Sequence, residues 1–168
     1  SLNIVRNQLT QNKALIGFAG APFTVAAYMI EGKGNTTFPG CVSFFKNNEN
    51  AFLLLLKKLE IFIAEHLIKQ IEAGAEVVQI FESHAKVAAD EKKFKEYCLD
   101  PVNNIIKEIK KIYPETPIIG FPRNADKNYL EYGKTLSIDC ISIDQNVNIK
   151  WLINNHKKRN LNQLRRYY

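Results

Sequence analysis

Residues 14–30, ALIGFAGAPFTVAAYMI, decide the fold. ALIGF (14–18) is short and apolar and reads as a buried strand. AGAP breaks it, and PFTVAAYMI (22–30) reads as a helix opened by proline. The unit then recurs. EVVQIF (76–81), PIIGF (117–121) and IDCISI (138–143) are the next strands, short and rich in β-branched residues. Helical segments follow each of them. Residues 90–97 are helical, and Asp100 with Pro101 reads as an N-cap and first-turn proline opening the helix up to Tyr113. Asn124 is a candidate cap for a helix over 125–133, and 146–155 reads as a short final helix. Residues 39–47 also fit a short helix.

The longest helix is expected over 50–73. Phe52, Leu56, Leu59, Ile63 and Leu67 recur at helical spacing and form one apolar face. Glu65 and Lys69 lie off that face as an i,i+4 pair. The order is therefore βα four times, which specifies a parallel sheet covered by helices. An open doubly wound sheet and an arc of a (β/α)8 TIM barrel both satisfy it. The glycines at 17 and 20 lack the dinucleotide-binding spacing, which favours the barrel. A complete barrel takes about 250 residues. This α/β chain of 168 is thus expected to be the central portion of one, about four βα units.

Composition narrows the function classes. No apolar run approaches the ~20 residues of a membrane helix. The N-terminus lacks the apolar core of a signal peptide, so a cytoplasmic location is expected. The cysteines, Cys41, Cys98 and Cys140, are widely spaced and read as buried, reduced thiols rather than a zinc or disulfide framework. The net charge of +6 is local: 156–168 (HKKRNLNQLRRYY) holds five of the 23 basic residues and no acid. The rest of the chain carries 18 basic against 17 acidic residues. A tail of five cations with Tyr167 and Tyr168 could contact nucleic acid, but short basic tails are usually solvated, and no nucleic-acid partner is expected.

In parallel barrels chemistry sits at the C-terminal strand ends. Those ends carry Phe18, then Phe81-Glu82-Ser83-His84, then Phe121-Pro122-Arg123-Asn124, then Asp144-Gln145. Phenylalanines at three of four ends suit a flat, partly apolar ligand or simply close the barrel core. Glu82, Ser83 and His84 are adjacent, so they do not read as a catalytic triad. Arg123 is a candidate carboxylate partner, and Asp144 a strand-end base or, better, a helix cap. Tyr28 lies on an apolar helix near these ends.

LIGFAGAPFTVAAYMIEG (15–32), QIFESHA (79–85), PIIGFPRNA (117–125) and SIDQN (142–146) resemble the uroporphyrinogen decarboxylase family over about residues 5–155. The resemblance implies a (β/α)8 barrel that forms homodimers and uses no metal or organic cofactor. Its implied reaction removes four acetate carboxylates from uroporphyrinogen III to give coproporphyrinogen III. Tyr28 matches the family tyrosine beside the reacting acetate, and Ser83 the serine that bonds a substrate carboxylate. Phe18 and Phe81 match apolar residues against the macrocycle. His84 matches too, without a catalytic role.

The family's paired-arginine loop and pyrrole-binding aspartate have no counterpart here, nor do its late strands. Asp144-Gln145 stands where the family usually has Asp-Trp. The division expected is a partial barrel over 1–155 and a basic tail over 156–168, the latter resembling a shifted frame or truncated product. The chain alone is expected to be inactive. Alternatives are a non-catalytic interaction fragment and a methyltransferase of the same superfamily, whose zinc-binding His and Cys pair is missing here.

Overall fold

The structure is a computed structural model and describes residues 2–156 except Thr36 and Ala89. The elements are α1 (Leu2–Gln8), β1 (Ile16–Gly20), α2 (Pro22–Glu31), α3 (Pro39–Asn47), α4 (Glu49–Glu72), β2 (Val77–Glu82), α5 (Glu91–Lys93), α6 (Asp100–Ile112), β3 (Ile118–Pro122), α7 (Asn128–Thr135), β4 (Cys140–Ile141) and α8 (Ile149–His156). A 3₁₀ turn, Ala85–Ala88, follows β2, and a widened π turn, Phe94–Leu99, joins α5 to α6. Residues 157–168 of the expected basic tail lie outside the described residues.

The four strands form one parallel sheet in the order β1-β2-β3-β4. Sequential parallel neighbours with helical crossovers make an arc of a (β/α)8 barrel. Among the described residues no helix is long and apolar enough to cross a membrane.

Each strand has one covered and one open face, because side chains alternate along it. Val78, Ile80 and Ile118 point to the helices and are fully buried. Behind them α2, α3, α4 and the π turn enclose an aromatic core of Phe23, Phe45, Phe52 and Tyr97, with ring centroids 5.1 to 6.5 Å apart. On the open face Ile16 and Phe18 are 46% and 63% exposed.

The free edge of β1 is partly covered by a side chain. Gln70 of α4 accepts the Phe18 N–H at 2.8 Å and donates to the Phe18 carbonyl at 2.9 Å. Only glycine at 17 permits this, since a Cβ there would stand 2.6 Å from the Gln70 oxygen. Gly120 acts alike in β3, where a Cβ would stand 2.6 Å from the Tyr132 ring.

Several local expectations are corrected. Asp100 does not cap a new helix: its backbone is helical, and its N–H donates to the Lys95 carbonyl, five residues back. The π turn leads into Pro101, whose missing N–H would leave an ordinary helical bond unmade. The Asp100 carboxylate instead pairs with Lys95 at 2.7 Å. The helix expected from 125 starts at Asn128, because Asn124 and Asp126 take left-handed φ of 56° and 49°. Lys69 pairs with Glu72 at 2.7 Å rather than with Glu65. Leu59 is only partly buried, and Glu60 turns inward in its place. Cys41 and Cys98 are buried as expected, but Cys140, on the short outer strand β4, is exposed. That strand shrinks from the expected 138–143 to two residues.

Candidate functional site

Strand pairing runs past the aromatic residues. The Ala21 N–H still bonds the Phe81 carbonyl at 2.8 Å. Phe18, Phe81 and Phe121 therefore lie within β1, β2 and β3, near their C-terminal ends, and each of these strands runs one or two residues past its expected end. Their rings meet edge to face in a row across the open face, at 5.8 Å between Phe18 and Phe81 and 5.9 Å between Phe81 and Phe121. An apolar row of this kind offers a flat ligand both ring faces and edges.

Beyond β2 the chain turns through Ser83 and His84, both half-buried. Among the described residues the hydroxyls of Ser83 and Tyr28 bond no protein group, so both are free to meet a ligand. The His84 ring lies between Phe38, 4.4 Å away, and Tyr28, 5.2 Å away. Burial, with Arg123 adding to it, lowers the His84 pKa, so the imidazole is neutral at pH 7. Its Nε2 is buried without a partner. Phe38 holds this cluster from a left-handed backbone, φ 45°, fully buried at the start of α3. That conformation is strained for a bulky residue. Glu31 supports it by accepting the free N–H groups of Gly40 and Cys41 at 2.9 and 3.2 Å. The aromatic packing around His84 was not legible in the sequence, because Phe38 is far from 84 along the chain.

Asp144 does not cap a helix. It is buried, and its Oδ2 accepts the Tyr129 hydroxyl and the Asn124 N–H, each at 2.7 Å. Its Oδ1 accepts the Asn146 N–H at 2.8 Å. Burial works to raise its pKa, but these bonds, with Arg123 nearby, outweigh it and hold the carboxyl below its ordinary range. Asp144 thus ties the loop after β3 to the loop after β4, and Asn148 caps α8 in its stead. Arg123 is exposed and has no carboxylate within salt-bridge distance among the described residues, which leaves its guanidinium available at the rim.

Beside this tie lies a cleft of about 570 Å³, lined by Lys86, Asn124, Lys127, Tyr129, Asn146 and Trp151 among others. Tyr28, Ser83, Phe18 and Phe81 do not line it. Phe121 does not line it either. The strand ends thus bring together an aromatic row, the turn that carries Ser83 and His84 with Tyr28 packed on it, and the exposed Arg123.

The uroporphyrinogen decarboxylase family model matches residues 1–162. The chain belongs to the uroporphyrinogen decarboxylase family. The match passes residue 156 into the basic segment. Among curated relatives, uroporphyrinogen decarboxylase of Wolbachia pipientis wMel is 44% identical over 158 residues, 94% of this chain and 44% of the relative. The enzyme of Roseobacter denitrificans is 41% identical over 153 residues, 90% of this chain and 44% of the relative. That of Neorickettsia sennetsu is 39% identical over 155 residues, 92% and 46%. The chain spans less than half the length of these relatives.

Proposed function

We propose that this chain supplies the central strands, and part of the substrate-binding wall, of a uroporphyrinogen decarboxylase. The observation that carries the reading is the row of Phe18, Phe81 and Phe121 on the open face, with Ser83 in the turn that leaves β2 and Tyr28 packed on the next residue, His84. A tetrapyrrole with acidic side chains needs both: an apolar floor for the macrocycle and donors for its carboxylates.

In this reading a protonated pyrrole carbon makes the ring an electron sink. The bond between the acetate methylene and its carboxylate breaks, CO₂ leaves, and the electron pair enters the ring. The methylene then takes a proton to become methyl as the ring gives its own back. Ser83 donates a hydrogen bond to a substrate carboxylate, Tyr28 stands beside the reacting acetate, and Phe18 and Phe81 hold the macrocycle. Catalysis is by positioning and electrostatics. The family's homodimer, a cytoplasmic location, and a division into a barrel arc over 1–155 and a basic tail over 156–168 belong to the same proposal.

The test uses a family-length hybrid, in which this chain replaces the aligned segment of the Wolbachia pipientis relative. The hybrid is incubated with uroporphyrinogen, and the oxidised products are separated by carboxyl number. Products with seven to four carboxyls are expected. A folded hybrid that yields none overturns the reading. The 168-residue chain alone is expected to yield none.

A further inference from the structure

Glu82 ends β2 directly before Ser83 and points the opposite way, into the covered side. It is fully buried. Its Oε1 accepts the hydroxyl of Thr24, in the first turn of α2, and its Oε2 is buried with no partner. Three elements face the carboxyl. From α2 comes Thr24, from the π turn Cys98, and from α7 Tyr132, whose hydroxyl is likewise buried and unpartnered. No cation pairs with it among the described residues. A buried carboxylate without a cation is costly, and the group takes up a proton instead. Burial pushes its pKa up to about 8, against the pull of the Thr24 hydroxyl and N–H.

The placement matters because Thr24 and Tyr28 are one helical turn apart on α2, while Glu82 is the last residue of β2 and Ser83 the first of the turn that follows it. The bond between Thr24 and Glu82 is therefore a direct side-chain link between the elements that carry the two free hydroxyls.

Resting on the decarboxylase reading for its functional part, we propose that Glu82 is a positioning residue. As a neutral acid bonded by Thr24, it sets the spacing of β2 and α2 and so the placement of Ser83 and Tyr28 toward a substrate carboxylate. Its neutrality also spares that carboxylate an adjacent negative charge.

Infrared spectroscopy of the 168-residue chain tests the protonation. A protonated-carboxyl carbonyl band is expected at pH 7, absent in Glu82→Gln and fading as pH rises through about 8. Thr24→Val, nearly isosteric, moves that band to higher frequency because the carbonyl loses its donor. A spectrum with no such band, or a band unmoved by Thr24→Val, overturns the proposal. In the hybrid, Glu82→Gln keeps turnover within about threefold, whereas Thr24→Val raises KM about tenfold with less change in kcat. Unchanged KM in Thr24→Val with a working hybrid overturns the positioning role. An inactive unsubstituted hybrid removes the decarboxylase reading and leaves the band to decide the placement of Glu82.

Discussion

Ile80 and Phe81 are neighbours in β2 and belong to opposite sides of the sheet. Ile80 is fully buried against the helices, while Phe81 joins the aromatic row of the open face. The covered side is saturated with contacts: Val78, Ile118, Phe52 and Tyr97 are all fully buried. The open side is also largely apolar yet leaves Phe18 63% exposed. Similar hydrophobicity with unequal burial separates residues that hold the fold from residues whose apolar surface is left open.

The difference can be broken from either side. Phe52→Ala, on the covered side, empties the centre of the aromatic core. It is expected to cost about 3 to 5 kcal/mol, read as a lower denaturation midpoint. Asp144→Ala, at the rim, removes charge-assisted bonds between two loops and is expected to cost roughly 1.5 to 3 kcal/mol. Its pH signature follows from the lowered pKa of the carboxyl. The unfolded state binds its proton at higher pH, so the stabilisation is present above the ordinary value of 3.8 and is lost as pH falls through the lower folded value. The denaturation midpoint of Asp144→Ala should therefore converge on that of the unsubstituted chain in acid. Glu82 has the opposite sign. Its raised pKa means that stability declines as pH rises from the ordinary value of 4.5 toward about 8, and Glu82→Gln should flatten that decline.

Substitutions on the open side should move function more than stability. Phe18→Ala is expected to cost about 1 kcal/mol or less, because the ring is mostly exposed and loses one edge contact. In the hybrid it should raise KM several-fold. Tyr28→Phe and Ser83→Ala remove only hydroxyls that bond no protein group among the described residues. Their midpoints should be unchanged, with modest losses in kcat or KM. A loss of stability equal to that of Phe52→Ala would remove either residue from the ligand-facing set.

The sequence made the βα order legible because each strand is short and largely apolar, and the first three have glycine or proline close by. It could not assign faces, since strands of a parallel sheet read as continuous apolar runs. Phe18, Phe81 and Phe121 were therefore visible as a set at the strand ends, but the face on which they lie was not. The family resemblance picked out Ser83 and Tyr28, while the neighbouring Glu82 drew notice only as part of a triad it does not form. Its burial beside Thr24, and the pairing of Phe38 with His84, depend on how α2 and α3 pack, which no local pattern encodes. Asp144 read as a helix cap, whereas it ties two loops, because its partners Tyr129 and Asn124 follow from the left-handed turn after β3.

The most direct test of the two-sided sheet compares Ile80→Ala with Phe81→Ala in the family-length hybrid, measuring denaturation midpoint and KM for uroporphyrinogen on each. Ile80→Ala should lose stability by about 2 to 5 kcal/mol and leave the KM of the folded protein unchanged. Phe81→Ala should keep most of the midpoint and raise KM. A Phe81→Ala protein as destabilised as Ile80→Ala, with KM unchanged, would contradict the assignment of the open face to the substrate.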